Sequence, residues 1–160
     1  MNNQSARQHS RGSNAADKLA VAEALYRFAA GIDLRDKELL TASLALESVS
    51  DFRPAAAKAG FDYPVLTGRE TIVNALLTSL GQLDTTHSVS NPRVTIDGET
   101  AKLEALVEAQ HVPRKDPSRH YLMKNRYDVD LVRQDGVWVI QRTTVDNVWR
   151  TGDSTVMSGV

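Results

Sequence analysis

The stretch Thr85-Thr86-His87-Ser88-Val89-Ser90-Asn91 stands between a long helical pattern and four strand patterns. Its β-branched and hydroxylated residues favour a strand, yet it also carries an imidazole and an amide four residues apart. Because side chains alternate along a strand, His87, Val89 and Asn91 are predicted to share one face. If that face looks inward, a titratable base lies inside a largely apolar cup whose walls come from the rest of the chain.

The composition indicates one globular domain, because 160 residues are enough to form a core. The formal net charge of -1 gives no support for binding to nucleic acid or to an acidic membrane. The chain has no cysteine, which excludes disulfides, thiolate metal sites and a cysteine nucleophile. No apolar run approaches the roughly 20 residues of a membrane span, and residues 1–14 lack the apolar core of a secretory signal. We therefore expect a cytoplasmic protein that binds neither nucleic acid nor membrane.

The first helical pattern covers residues 15–33 and follows a polar segment, residues 1–14, that we interpret as a flexible arm. Five residues at helical spacing form one face of this helix: Leu19, Ala22, Tyr26, Ala29 and Asp33. Tyr26 and Asp33 are two turns apart and point in the same direction, so a carboxylate would stand at the end of a buried stripe. The alternative is that Asp33 lies in solvent where the helix frays.

Two further helices are predicted before the strands. Residues 36–46 indicate a second, short helix, followed by a short strand at residues 50–52 and a connector, residues 54–64, with a helical turn. Phe61 and Tyr63 in this connector suit a lid or simple packing on the domain edge. Thr67-Gly68-Arg69-Glu70 reads as a capping box that opens a third helix over residues 68–80.

Four strands then follow, with a loose tail at residues 151–160. They are predicted over residues 86–96, 100–111, 120–132 and 137–149, with a bulge at Asn91-Pro92 and hairpin turns at Asp97-Gly98 and Asp135-Gly136. Alternation on the second strand places His111 on its apolar face, and on the third it places Asn125 and Tyr127 together. Helices followed by a meander of long strands indicate an α+β domain with helices on one side of a curved antiparallel sheet.

The inward faces collect polar groups from separate elements: Tyr26, Asp33, His87, Asn91, His111, Asn125 and Tyr127. Burying them is costly unless they bond to one another or to a ligand. An Asp bonded to one ring nitrogen would fix the tautomer and leave the other nitrogen free to accept a proton. Because no metal-ligand spacing or phosphate loop is present, elimination, isomerisation or aldol-type cyclisation remain as reactions needing only acids and bases. Alternatively, the imidazoles are satisfied core residues.

The order of helices and long meander resembles the nuclear transport factor 2-like superfamily, in particular its SnoaL-like branch, over residues 15–150. The residues that carry this resemblance are Tyr26, Asp33, Thr67-Gly68-Arg69-Glu70, Thr86-His87-Ser88-Val89-Ser90-Asn91 and Asp135-Gly136-Val137-Trp138-Val139-Ile140. The resemblance implies a cone-shaped α+β barrel, with three N-terminal helices packed on a curved, mostly antiparallel sheet. It also implies an oligomer, and we expect a homodimer, with a trimer as the alternative.

Related members include scytalone dehydratase, hexachlorocyclohexane dehydrochlorinase, bile-acid dehydratase and polyketide cyclases. In several of these a helix-one Asp pairs with a strand His that acts as the base, which implies these roles for Asp33 and His87. His111 resembles the second strand histidine of scytalone dehydratase, and Asn125 resembles its substrate-binding amide. His111 and a tyrosine, Tyr26, are expected to donate to a departing hydroxyl or a carbonyl oxygen.

We therefore expect a cofactor-independent, metal-free lyase of the dehydratase type that acts on an apolar, cyclic or polyketide-like small molecule. The predicted catalytic residues are Asp33, His87, His111 and Tyr26, and the predicted substrate-binding residues are Asn91, Asn125, Tyr127, Tyr63, Phe61 and Trp149. Two alternatives remain: a polyketide cyclase or isomerase of the same fold, and a non-catalytic module that binds a small ligand or a protein.

Overall fold

The computed structural model describes the backbone of residues 4–157 and the side chains of residues 15–157. Its helices are α1 (Gln4–Asp33), α2 (Lys37–Ala42), α3 (Arg53–Ala59), α4 (Arg69–Ser79) and a final 3-10 helix (Ser154–Met157). Its strands are β1 (Leu44–Asp51), β2 (Leu66–Thr67), β3 (Leu83–Asp97), β4 (Thr100–Pro113), β5 (Tyr121–Gln134) and β6 (Val137–Gly152). The first three residues of the predicted arm lie outside the described residues, and the α1 backbone begins at Gln4, earlier than predicted.

The six strands form one sheet in the order β2-β1-β6-β5-β4-β3. All neighbours are antiparallel except β1 and β6, which run parallel. The helices pack on this curved, unclosed sheet, which confirms the predicted α+β cone. None of the helices in the described part of the chain is long and apolar enough to cross a membrane.

The long strands alternate as the sequence predicts. On β4 and β5 the predicted inward side chains are all buried: Ala101, Leu103, Ala105, Val107, Ala109 and His111 on one strand, and Tyr121, Met123, Asn125, Tyr127, Val129 and Leu131 on the other. The predicted bulge on β3 is confirmed by a register shift between Ser90 and Arg93. The β5–β6 turn places Asp135 and Gly136 at positive φ, the requirement of a tight two-residue hairpin.

Two predicted features are wrong because tertiary pairing overrides local signals. The second helix ends at Ala42, since residues 44–46 join β1, where Leu44 lies opposite Ile140 of β6. Thr67 caps no helix: it belongs to β2 and pairs with Val49, while Gly68 takes the N-cap position without a side-chain bond.

Residues 151–157 are also more ordered than predicted, and the last three residues of the predicted tail lie outside the described residues. Strand β6 continues to Gly152, and the 3-10 helix that follows buries Val156 in the core. Arg119 holds this segment, donating from Nε to an Asp153 carboxylate oxygen at 2.9 Å. Residues 154–157 therefore form part of the wall over the inner face of the sheet.

The end of α1 is placed by a close helix–helix contact. A Cβ on Gly31 would lie 2.7 Å from the backbone N and Cα of Leu40 in α2, a separation that real side chains do not tolerate. Leu40 is fully buried, so α2 cannot shift away from α1. Only glycine allows this approach, and it fixes the last residue of α1, Asp33, beside strand β3.

Candidate active site

An apolar cavity of about 220 Å³ lies between the helices and the inner face of the sheet. Its apolar lining comes from Phe28, Ile32, Phe52, Phe61, Leu66, Leu76, Leu80, Ala109, Met123, Val145 and Met157. Its polar lining comes from Ser50, Tyr63, Ser79, His87, His111, Asn125, Tyr127 and Thr143. Among the described residues, no lysine, arginine, aspartate or glutamate lines this cavity.

Asp33 and His87 form a hydrogen-bonded pair at the wall of this cavity. Asp33 Oδ1 lies 2.6 Å from His87 Nδ1, and Asp33 Oδ2 accepts the His87 backbone N–H at 2.7 Å. Burial tends to raise the pKa of Asp33, but the hydrogen bonds and charge of His87, with a hydrogen bond from Thr85, lower it overall. The ionised carboxylate can only accept, so Nδ1 carries the ring proton and Nε2 is the free base in neutral His87.

Two residues outside the predicted site support this pair, Thr85 by direct contact and Arg35 through Thr85. Thr85 donates its hydroxyl to Asp33 Oδ1 at 2.9 Å, and Arg35 donates to the Thr85 oxygen at 3.1 Å. Thr85 belongs to the stretch from which the sequence analysis starts, but it carries no chemical signature of its own. Arg35 follows the predicted helix end by two residues, and only the fold shows that it turns back toward β3.

His111 lies beside His87, with their ring centroids 6.0 Å apart and their planes nearly perpendicular. Burial, reinforced by the charge of His87, lowers the pKa of His111 to about 4, so the ring is neutral at pH 7. Its Nδ1 lies 3.2 Å from the carbonyl oxygen of Tyr121, which can only accept a hydrogen bond. Nδ1 therefore carries the proton and Nε2 is an acceptor. In this neutral form His111 would accept rather than donate, so its predicted donor role stays a prediction.

Two phenols in the cavity lining supply donors instead. Burial, with the nearby charge of Asp33, raises the pKa of Tyr127. Burial also raises the pKa of Tyr63. Both side chains therefore keep their proton at neutral pH and can donate to an oxygen of a bound molecule. The structure places these two predicted binding residues, together with Phe61 and Asn125, in the cavity lining.

A second buried amide sets the orientation of Asn125. Asn147 Nδ2 donates to the backbone oxygen of Trp149 at 3.0 Å and to Asn125 Oδ1 at 2.9 Å. Arg150 donates to Asn147 Oδ1 at 3.2 Å, which agrees with this orientation of the Asn147 amide. With its oxygen engaged, Asn125 has its NH₂ group left to donate to a molecule in the cavity. Sequence reasoning missed Asn147, although it follows Val145 in the inward alternation of β6.

Three predicted site residues do not reach the cavity. Tyr26 shares a helix face with Asp33, but seven residues along a helix amount to about 10 Å, and Tyr26 lines a separate groove beside Pro92. Asn91 sits at the β3 bulge with φ +53°, which breaks the alternation and leaves its side chain exposed. Trp149 is 46% exposed, because the β5–β6 register shifts before it and places it opposite Lys124.

The cavity also contains residues that carry no functional signal in the sequence. Ser50 and Thr143 add hydroxyls from β1 and β6, and Phe28, Phe52 and Met157 add apolar surface. None of these residues carries a chemical signature that distinguishes it from an ordinary core residue. Within the part of the chain that the structure describes, no three His, Asp or Glu side chains are grouped so that they could hold a metal ion.

Comparisons with known proteins agree with this architecture. The sequence profile of the SnoaL-like domain matches residues 13–144. A relative from Penicillium crustosum, terrestric acid biosynthesis cluster protein E, is 28% identical over 144 residues, which cover 86% of each protein.

Two solved structures share the fold. The Kfla4162 protein of Kribbella flavida aligns with a TM-score of 0.80 at 21% identity, covering 91% of this chain and 99% of its own. A scytalone dehydratase-like protein of Novosphingobium aromaticivorans aligns with a TM-score of 0.75 at 20% identity, covering 89% and 91%.

Proposed function

The chain belongs to the SnoaL-like domain family, and we propose that it is a cofactor-independent lyase of the dehydratase type. In this proposal His87, oriented by Asp33, removes a proton from carbon in a small cyclic or polyketide-like molecule. The observation that carries the proposal is the 2.6 Å contact between Asp33 Oδ1 and His87 Nδ1, at the wall of an apolar cavity. This geometry is what a general base requires, because the contact with Asp33 leaves Nε2 unprotonated.

The proposed reaction is the elimination of water from a β-hydroxy carbonyl compound. His87 Nε2 takes the proton from the carbon next to the carbonyl group, and the electron pair of the broken C–H bond moves toward the carbonyl oxygen. The phenols of Tyr127 and Tyr63 donate hydrogen bonds to that oxygen, which stabilises its developing charge. The C–O bond then breaks, the C=C bond forms, and the departing hydroxyl takes the proton from His87 Nε2 to leave as water.

The cavity favours an uncharged substrate. No cationic side chain among the described residues lines it, so a bound carboxylate or phosphate would lose its hydration without compensation. Its volume of about 220 Å³ is below the roughly 300–1,000 Å³ of most ligand pockets, which favours a compact molecule. The acceptor nitrogen of His111 suits a hydroxyl group of that molecule, and the Asn125 amide suits a carbonyl oxygen.

The relatives support a reaction of this kind without identifying the substrate. The Penicillium crustosum protein is assigned by its name to a biosynthesis cluster, and the Novosphingobium aromaticivorans structure is described by analogy with a dehydratase. Both descriptions are compatible with acid–base chemistry on a small molecule. The identities of 28% and 20% leave the reaction itself to be tested.

The test measures two changes in the substrate, the loss of water and the exchange of carbon-bound hydrogen for deuterium. Purified protein is incubated in D₂O with a panel of one- and two-ring β-hydroxy ketones, and products are followed by mass spectrometry. We expect loss of water, with His87→Ala slowing it by about 10²–10⁴-fold. His120→Ala, which removes an exposed histidine, is the matched control and should retain the wild-type rate. An unchanged rate in a folded His87→Ala variant would reject His87 as the base.

The same panel separates the alternatives. Products with the mass of the substrate and a dependence on His87 would indicate an isomerase or cyclase that uses the same base. Binding detected by calorimetry without any turnover would indicate a module that only binds its ligand. In that case the individual histidines should be dispensable for the affinity.

We also propose that the protein is a homodimer. Leu106, Leu122 and Val132 lie half-buried on the outer side of the sheet, and Val148 and Trp149 are exposed near its end. Apolar side chains in such positions are suited to contact with a second copy. Sedimentation velocity at micromolar concentration should show the dimer, and a single monomeric species would contradict the proposal.

A further inference from the structure

Arg35 occupies an unusual position just behind the candidate base. It follows the C-terminal end of α1 with φ +56°, a conformation that favours glycine at helix ends and that side-chain-bearing residues adopt rarely. Its guanidinium group donates from Nη1 and Nη2 to acceptors on three elements, namely the backbone oxygens of Ile32, Leu80 and Leu83 and the hydroxyl of Thr85. Its buried Nε has no partner among the described residues. This set of contacts fixes the guanidinium in one place.

The contact between Arg35 and Thr85 has a defined direction. A guanidinium group has only donors, so the Thr85 oxygen must accept at this 3.1 Å contact. The single hydroxyl proton of Thr85 is then available for Asp33 Oδ1, which lies 2.9 Å away. Without Arg35, the hydroxyl could rotate and donate elsewhere. Arg35 therefore decides which way the Thr85 hydrogen bond points.

Asp33 receives three hydrogen bonds as a result. Oδ1 accepts from Thr85 and from His87 Nδ1, and Oδ2 accepts the His87 backbone N–H. Thr85 is 7% exposed, so water offers little competition for its bond. A carboxylate with this number of donors stays ionised and cannot turn its oxygens away from the ring.

We infer that Arg35 and Thr85 are positioning residues, which together form a relay that holds Asp33 in the orientation that keeps His87 Nε2 unprotonated. The relay comprises Arg35, Thr85 and Asp33, and its target is the ring of His87. Its importance for turnover rests on the proposed function, but its effect on the His87 tautomer does not. Neither residue needs to touch a substrate.

The test measures the tautomer of His87 directly, by ¹⁵N NMR of histidine-labelled full-length protein above the titration range of the ring. In the wild type we expect the form with the proton on Nδ1 to dominate. In Thr85→Val, which keeps the shape and removes the hydroxyl, the ratio of the two tautomers should fall by roughly tenfold, the effect of losing one hydrogen bond to a charged group. Thr85→Ser should restore the wild-type ratio.

Thr86→Val is the matched control, because Thr86 is the exposed neighbour on the same strand. It should leave the tautomer ratio unchanged. Arg35→Lys, which keeps the charge but loses the fork of donors, should lower the ratio in the wild-type background. If Arg35 acts through Thr85, Arg35→Lys should have no further effect in the presence of Thr85→Val, as a double-mutant cycle would show.

The inference is overturned if folded Thr85→Val has the tautomer ratio of the wild type. Should that variant not fold, Thr85→Ala gives the same comparison, with folding checked by its thermal transition. The inference and the proposed function fail separately. A wild-type turnover rate in His87→Ala would reject the base and leave the tautomer result standing, whereas an unchanged tautomer in Thr85→Val would reject the relay only.

Discussion

Asp33 holds His87 at two points, with one carboxylate oxygen 2.6 Å from Nδ1 of the ring and the other 2.7 Å from the backbone nitrogen. The second contact fixes the strand relative to the end of α1, and the first fixes the ring relative to the strand. Because both contacts come from one side chain, the ring has little freedom to turn about its Cα–Cβ bond. The pair therefore acts as a structural joint between α1 and β3 as well as a candidate catalytic unit.

Asp33→Asn should impair turnover without removing the base. An asparagine places an NH₂ group where one of the two carboxylate oxygens stood, so it cannot accept at both of these positions. It also lacks the charge that stabilises the imidazolium ion formed by proton transfer. We expect kcat on dehydration substrates to fall on the order of 10²-fold. Asp135→Asn, in the exposed β5–β6 turn where asparagine also tolerates positive φ, is the control and should keep the wild-type kcat. A wild-type kcat in Asp33→Asn would argue against the pair.

His111 should make stability depend on pH between about 4 and 6.5. Its pKa in the folded protein is about 4, below the ordinary value of 6.5, because burial disfavours the charged ring. Within this window the unfolded chain binds more protons than the folded one, so stability is present above pH 6.5 and is lost as the pH falls. The loss should be on the order of 3 kcal/mol. Urea unfolding at a series of pH values measures it.

The matched comparison uses His120, the exposed histidine just before β5. His111→Gln should flatten the dependence of the unfolding free energy on pH between 4 and 6.5, because it removes the titrating group. His120→Gln should leave that dependence as in the wild type, since His120 is exposed. Equal slopes in the wild type and in His111→Gln would show that the buried ring is not responsible.

Two asparagines predicted for the same role should behave differently. Asn125 is 1% exposed and lines the cavity, whereas Asn91 is exposed at the β3 bulge. Asn125→Ala removes the amide donor and should raise KM for a carbonyl substrate by roughly tenfold, the usual effect of losing one hydrogen bond. Asn91→Ala should leave KM unchanged. Equal effects of both substitutions in steady-state kinetics would contradict the placement of the cavity.

Much of the fold could be predicted because its determinants are local. The alternation on β4 and β5 and the turn at Asp135-Gly136 depend only on residue order, and each is confirmed. The end of the second helix and the Thr67 cap were wrong because strand pairing with distant residues decided those segments. No pattern within residues 44–46 shows that Leu44 will lie opposite Ile140.

The site was predictable where a residue's face and its position along the element both followed from the sequence. Asp33, His87 and Asn125 met that condition. Tyr26 lies on the predicted face of α1 but too far along the helix from Asp33 to reach the cavity. A bulge turns Asn91 outward, and a register shift does the same for Trp149. Arg35 and Asn147 act only through contacts with other chain segments, which no spacing rule describes.

Gly31→Ala should destabilise the protein although alanine is the better helix former. In an exposed helix this substitution would stabilise by about 1 kcal/mol. Here the new Cβ would lie 2.7 Å from the backbone of Leu40, so α1 and α2 must separate, at a cost of about 1–3 kcal/mol. The displacement also moves Asp33, two residues further on, away from β3. Thermal unfolding and the ¹⁵N spectrum of His87 should therefore both change.

Gly60→Ala separates the two consequences of Gly31→Ala. Gly60 has φ +86° but no atom near its potential Cβ, so this substitution strains the backbone of the α3 cap without touching the cavity wall at Asp33. It should lower the melting temperature and leave the His87 spectrum as in the wild type. If Gly31→Ala likewise lowers only the melting temperature, the contact with Leu40 contributes to stability but does not position the base. A change in both observables would show that helix packing sets the geometry of Asp33 and His87.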